Sequence, residues 1–239
     1  MSTFGSSGPG GPPDAAAGAA LDRPLLIAVE GPIGVGKTAL AKRLAQHLNF
    51  RPVLEIPQAN PYLSRFYHRR KENAFRTQMA FLIDRFKMLS ALGQGELFTQ
   101  GVLTDFTLYK DRIYAALNLD PEEFRLYTHM FEALRGYCHA PDAIVFMRAD
   151  SRALHQAVMR RKLVHESNIE GAYVTGLCEA YQQWADHDAP APIVTVHVDP
   201  LAQKPPGQEA FLTVVDSLRK AVATGTAQTA NAGGDFFRL

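Results

Sequence analysis

Residues 25–38 read Leu-Leu-Ile-Ala-Val-Glu-Gly-Pro-Ile-Gly-Val-Gly-Lys-Thr. Leu25 to Val29 is an apolar, partly β-branched run of strand length. Gly31 to Thr38 fits G-x-x-x-x-G-K-[ST], and Ala39 to Leu48 then carries apolar residues at helical spacing up to Asn49. Strand, glycine-rich turn and helix in that order make a cradle whose backbone N–H groups close on phosphate. Gly31, Gly34 and Gly36 stand where a side chain would block that approach or where unusual φ is required. Pro32, Ile33 and Val35 complete the loop, and the helix N-terminus adds partial positive charge. Lys37 is the expected contact to the β- and γ-phosphates of a triphosphate, and the Thr38 hydroxyl the expected ligand for Mg²⁺. The other reading, a chance match in a glycine-rich turn, is what the flanking strand and helix argue against.

The rest of the chain is compatible with that cradle. Its 239 residues, 46% hydrophobic and 21% charged, have room for one α/β domain with tails. A net charge of +1 argues against a protein that lives on nucleic acid or anionic membrane. No apolar run approaches the ~18 residues of a membrane span, and the N-terminus lacks a basic-plus-apolar signal region. Cys138 and Cys178 fit neither a disulfide framework nor a metal cluster, and read as incidental thiols of a reducing cytoplasm. Residues 1–22, rich in Gly, Ser, Pro and Ala, are expected to be a disordered tail. Residues 224–239 are expected to be a flexible C-terminal tail, leaving 23–223 as the domain.

Within that domain short apolar strands alternate with longer helical patterns. The strands are Leu25–Val29, Pro52–Ile56, Val102–Asp105, Ala143–Met147 and Ile193–Val198. Helical spacing covers Ala39–Leu48, Asn60–Tyr67, Phe75–Leu92, Pro121–Tyr137, Arg152–Arg161, Ile169–Trp184 and Glu209–Val222. Asp120 as N-cap, Pro121 at the first position and Glu122 and Glu123 in the first turn mark one helix start. The alternation predicts an α/β fold, a five-stranded parallel sheet flanked by helices in the manner of P-loop NTPases. Ligands then collect at the carboxyl ends of the strands.

Several residues fall at those ends. Glu55 closes the second strand, where it is either a general base for an attacking hydroxyl or an exposed loop acid. Asp105 closes the third, where a carboxylate organises Mg²⁺ or a substrate hydroxyl. Gln78 and Arg85 lie seven residues apart, two helical turns, so both project from one face of a largely apolar helix. Buried, they need partners. Either a salt bridge in the core supplies them or a nucleobase does, since an amide reads base edges bidentately. Asp111 and Arg112 offer an acceptor and a cation, or a solvated pair on the next helix. The basic run Arg160-Arg161-Lys162 suits a lid that closes over phosphates, and equally a solvated helix end.

Taken together, Leu25 to Val198 resembles the deoxynucleoside kinase family, P-loop enzymes that phosphorylate the 5′-hydroxyl of deoxynucleosides with ATP and Mg²⁺. Glu-Ile-Pro-Gln-Ala-Asn-Pro-Tyr-Leu (55–63) is similar to the family segment that carries the catalytic glutamate. The resemblance makes Tyr67 and Glu166 the holders of the sugar 3′-hydroxyl, Gln78 and Arg85 the contacts to the base, and Asp111 the partner of Arg85. It associates an Arg/Asp pair with purine or cytosine bases, whose exocyclic amine wants an acceptor. It also implies nucleotide salvage in the cytoplasm, Arg160 and Arg161 at the phosphates, Arg161 assisting catalysis, and a possible homodimer.

Two departures stand out. The family's acidic-Arg-Ser motif, whose arginine orients the glutamate and the 5′-hydroxyl, is here Asp105-Phe106-Thr107. Lys110 or Arg112 is the nearest replacement. Ala157 and Leu163 occupy positions where the family lid carries arginines, and of the remaining cations only Arg161 falls on a matching position. These losses leave two rival readings: a nucleotide-binding protein with weak or lost catalysis, and a nucleoside monophosphate kinase.

Overall fold

The structure, a computed structural model, describes residues 24–93, 100–163, 169–202 and 207–230. The expected N-terminal tail, Glu166 and residues 231–239 lie outside them. In chain order the elements are β1 (Leu25–Glu30), α1 (Lys37–Leu48), β2 (Arg51–Val53), α2 (Leu63–His68), α3 (Arg70–Ser90), β3 (Gly101–Thr104) and α4 (Tyr109–Asn118). There follow α5 (Pro121–Arg135), β4 (Ala143–Arg148), α6 (Ser151–Arg160), α7 (Gly171–His187), β5 (Ile193–His197), α8 (Gln208–Thr224) and β6 (Gln228–Ala230).

The strands form one sheet in the order β2-β3-β1-β4-β5-β6, and every neighbouring pair is parallel. Burial explains why β1 and β4 are apolar almost throughout. Ile27, Val29, Val145 and Met147 enter one core cluster, while Ala28, Ile144 and Phe146 enter another on the opposite face. That is the two-residue period of strands covered on both sides. A third cluster lies among α3, α4 and α5, where Leu82, Leu89, Tyr127 and Phe131 enclose Phe106. The start of α5 has the expected cap: Asp120 Oδ1 accepts from the N–H groups of Glu122 and Glu123, both at 2.9 Å. Glu123 Oε2 accepts in return from Asp120 N, closing a capping box.

The sheet has six strands, which corrects the expected five. The sixth comes from residues 228–230, inside the stretch read as a tail. Gly225, at φ 67, ends α8 in the left-handed region, and Gln228 then pairs with Val194. A three-residue strand held by backbone pairing leaves almost no side-chain signature, and Gln-Thr-Ala carries none. The second strand is also shorter than expected, ending at Val53, so Glu55 stands beyond it in the loop. Among the described residues, no helix is long and apolar enough to cross a membrane. Both cysteines are free and half-buried. Burial pushes the Cys178 thiol up to about 11, aided by Asp150 and Glu179, so it is not a reactive thiolate at neutral pH.

Candidate active site

The carboxyl ends of β1 and β3 meet the loop after β2 at a cavity of about 490 Å³. At one end lies the glycine-rich loop. Gly31 (φ +149) passes so close to β4 that a Cβ would stand 2.5 Å from the Met147 carbonyl oxygen. Gly34 (φ +81) would place a Cβ 2.4 Å from Val158 Cγ2 on α6. Only glycine fits both places, and the loop therefore presents backbone rather than side chains to the cavity. Ile33, Gly34, Gly36, Lys37 and Thr38 line it, while Val35 turns into the core and Pro32 contributes a carbonyl.

Lys37 Nζ donates to the carbonyls of Gly31 at 2.8 Å and Pro32 at 3.0 Å. Burial and then the nearby Lys110 ammonium lower its pKa to about 8. Thr38 Oγ1 donates to Asp105 Oδ2 at 2.5 Å, and Asp105 Oδ1 accepts from the backbone N–H of Glu55 at 2.8 Å. Asp105 thus ties the start of α1 to the loop that carries Glu55. A hydroxyl and a carboxylate side by side are hard oxygen donors of the kind Mg²⁺ takes beside phosphate oxygens. Among the described residues there is no cluster of three or more His, Cys, Asp or Glu side chains that would hold a metal without such help.

Glu55 is the most constrained acid in the cavity. Its side chain is 9% exposed, Oε2 accepts from Lys110 Nζ at 2.5 Å, and Oε1 pairs with an Arg85 guanidinium nitrogen. Burial pushes this carboxyl up, but Arg85 and Lys110 outweigh it and hold the pKa at about 2. The other terminal nitrogen of Arg85 pairs with Asp111, which is fully buried. Charges alternate along Asp111, Arg85, Glu55 and Lys110, drawn from α4, α3, the β2–α2 loop and α4 again. Burial works against the charge on Arg85, yet its two carboxylates raise its pKa further.

Of the two readings left open for Gln78 and Arg85, the salt bridge in the core is the one found at Arg85. Arg85 has its salt bridges, and its guanidinium also lies 4.7 Å from the Phe81 ring centroid. Gln78 is 2% exposed and lines the cavity, yet Oε1 has no hydrogen-bond partner among the described residues. A buried amide oxygen facing a cavity without a partner is costly unless a ligand donates to it. Asp111 pairs with Arg85, the partner the resemblance named. It is neither a solvated partner of Arg112 nor part of the cavity wall, and stands behind Arg85 with Oδ2 unpaired.

Tyr67 and Arg161 line the cavity as expected, and Arg161 Nη1 lies 3.7 Å from the point a Cβ on Gly34 would occupy. Arg160 is exposed and does not line the cavity. One residue is about 100° around a helix, so neighbours at the end of α6 cannot share a face. Ala157 is buried in α6, and Leu163 reaches the cavity. Glu166 lies outside the described residues.

Two contributors were not singled out in the sequence. Glu30, fully buried at the end of β1, accepts from Thr107 N at 2.6 Å and Thr107 Oγ1 at 2.8 Å through one oxygen. The other oxygen accepts from the Tyr181 hydroxyl at 3.2 Å. Burial raises its pKa. An acid closing a buried apolar strand was the available signal. Tyr173, on the cavity wall from α7, has its hydroxyl 3.1 Å from Asn118 Nδ2 and its ring 4.0 Å from the Arg70 guanidinium. Nothing local in the sequence marks it.

Comparison with known proteins agrees with this architecture. A family model described as deoxynucleoside kinase matches residues 27–220. The chain is 34% identical over 178 residues to a deoxyguanosine kinase of Bacillus subtilis (strain 168), covering 72% of this chain and 86% of that protein. It is 28% identical over 182 residues to the deoxyadenosine/deoxycytidine kinase of the same organism, covering 73% and 82%. Among solved structures, deoxyadenosine kinase from M. mycoides with bound dCTP superposes with a TM-score of 0.68 at 19% identity, over 82% of this chain and 100% of that one.

Proposed function

Since the chain belongs to the deoxynucleoside kinase family and is a phosphotransferase, we propose that it transfers the γ-phosphoryl of ATP to the 5′-hydroxyl of a deoxynucleoside with a purine or cytosine base. The observation that carries this reading is Glu55, ionised between two cations and facing Lys37 and the glycine-rich loop across one cavity. The glycine-rich loop and Lys37 hold the triphosphate, and Arg161 closes on it from the end of α6, the start of the lid. Gln78 receives the base, and Tyr67, with Glu166, receives the sugar. Thr38 and Asp105 fit Mg²⁺, which when bound neutralises phosphate charge as a Lewis acid. As the hydroxyl oxygen forms its bond to the γ-phosphorus, Glu55 takes the hydroxyl proton. The bond from that phosphorus to the bridging oxygen breaks, and ADP leaves with the electron pair. In a loose transition state little basicity is needed, so a carboxylate with a low pKa suffices for orientation and late proton acceptance.

The base preference rests on an acceptor without a partner on the cavity wall, Gln78 Oε1. Adenine and cytosine carry an exocyclic amine where thymine has a carbonyl oxygen, and guanine donates through its 2-amino group instead. Names of relatives such as deoxyguanosine and deoxyadenosine kinase support the same choice. In a panel of the four deoxynucleosides, thymidine is expected to have a kcat/KM at least about 10²-fold below the best substrate. Thymidine as the preferred substrate would refute the assignment.

The reading further places the enzyme in the cytoplasm, in nucleotide salvage, as a homodimer. Ile83 on α3 and Leu126 and Met130 on α5 are exposed at 39%, 53% and 40%, and two of these helices packing on a second copy would cover them. Sedimentation at micromolar concentration should show twice the chain mass; a monomer there would contradict it.

A further inference from the structure

The arginine that the resemblance places after Asp105 is Phe106 here, an apolar side chain packed away from the cavity. Phe106 is fully buried in the cluster of Leu82, Leu89, Tyr127 and Phe131 among the helices. The cation at Glu55 comes instead from one helical turn further on. Lys110 belongs to the first turn of α4, is only 6% exposed, and bonds through Nζ to Glu55 Oε2 and to no other group among the described residues.

Nothing about local structure favours a lysine there. Its stem is buried, which penalises the charge. The first turn of a helix has unpaired N–H groups and a positive dipole end, which favours acids and opposes cations. Lys37 stands close enough for the two ammonium groups to repel, as the lowered pKa of Lys37 registers after the effect of burial. Against these three costs stands the one bond its ammonium makes, to Glu55. The turn is also fixed from behind: Glu30 holds the N–H and hydroxyl of Thr107, and Thr107 Oγ1 accepts from Lys110 N at 3.3 Å.

We infer that Lys110 is the positioning residue of the phosphoryl transfer, a replacement from α4 for the missing arginine, which aims the Glu55 carboxylate at the reacting end of the cavity. Arg85 cannot do this alone, because Asp111 occupies its other terminal nitrogen and fixes it at the base end. The two cations therefore divide the work: Arg85 anchors Glu55 towards the base, and Lys110 anchors it towards Lys37 and the phosphates. The inference rests on the reading of Glu55 as proton acceptor, and it answers the rival reading in which the lost arginine means lost catalysis.

The test is single-turnover transfer from ATP in the full chain for Lys110→Met, Lys110→Arg and Glu55→Gln, with thermal melts and ATP binding measured alongside. Lys110→Met is expected to slow transfer by about 10²-fold or more, with the Kd for ATP changed less than about threefold. Lys110→Arg restores most of the rate. Rescue by arginine, which restores the charge rather than the shape of the side chain, is a readout that mere packing would not give. A Lys110→Met rate within threefold of the parent, with Glu55→Gln strongly impaired, overturns the inference and leaves the Glu55 reading standing. So does a slowed variant that arginine does not rescue. Glu55→Gln at the parent rate overturns the reading beneath it.

Discussion

Lys37→Met is expected to lower kcat/KM by about 10³-fold while leaving the protein folded. Lys37 is half-buried, and its ammonium is satisfied by the Gly31 and Pro32 carbonyls of its own loop. Those bonds orient it at the mouth of the cradle, where the β- and γ-phosphates of a bound triphosphate would present stronger acceptors. Burial and Lys110 hold its pKa near 8, so much of its charge is present at neutral pH and a polyanion would stabilise the rest. Methionine keeps the length of the stem and removes the charge, along with the repulsion from Lys110. Steady-state kinetics with varied ATP, beside a thermal melt, separate the two effects. A loss below about tenfold in a folded variant would mean that the loop is not the phosphate site.

Glu55→Gln is expected to lower kcat by about 10²- to 10⁴-fold. Glutamine preserves the volume and one acceptor oxygen, yet it accepts no proton and cannot balance two cations. Arg85 retains Asp111, whereas Lys110 loses its partner and remains buried. Breaking a buried pair in this way costs about 3 kcal/mol, so the variant should also melt at a lower temperature, and activity must be measured well below it. Acid titration offers an independent check. The Glu55 pKa is lowered from 4.5 to about 2 on folding. Its stabilising contribution is therefore complete above the unfolded value and is lost as pH falls from about 4.5 towards 2. The glutamine variant lacks that part of the acid sensitivity. Unchanged kcat in folded Glu55→Gln would remove Glu55 from the chemistry.

The strand, glycine-rich turn and helix of residues 25–48 were legible in the sequence because their constraints are local. Gly31 and Gly34 are demanded by backbone approach, and Lys37 and Thr38 follow within one turn of helix. Glu55 was placed at the right end of the sheet for a similar reason, since strand ends are readable even when the strand stops at Val53 rather than Ile56. What joins Glu55 to Arg85 and Lys110 was not readable from spacing. Three segments far apart in the chain meet there, and only packing of α3 against α4 decides that the guanidinium reaches both Asp111 and Glu55. The same holds for Phe106: the sequence shows a missing arginine, whereas the fold shows a position turned into the helical cluster. Arg160 and Arg161 differ by one residue, and only the end of α6 decides which faces the cavity. Strand β6 rests on backbone pairing, to which composition is blind.

The most direct measurement follows γ-labelled ATP with Mg²⁺ and a purine or cytosine deoxynucleoside in the unsubstituted chain. The label should appear on the 5′-oxygen of the deoxynucleoside, with one ADP released for each labelled monophosphate. Label released only as inorganic phosphate, or ATP bound and left intact with all four deoxynucleosides, would contradict the account.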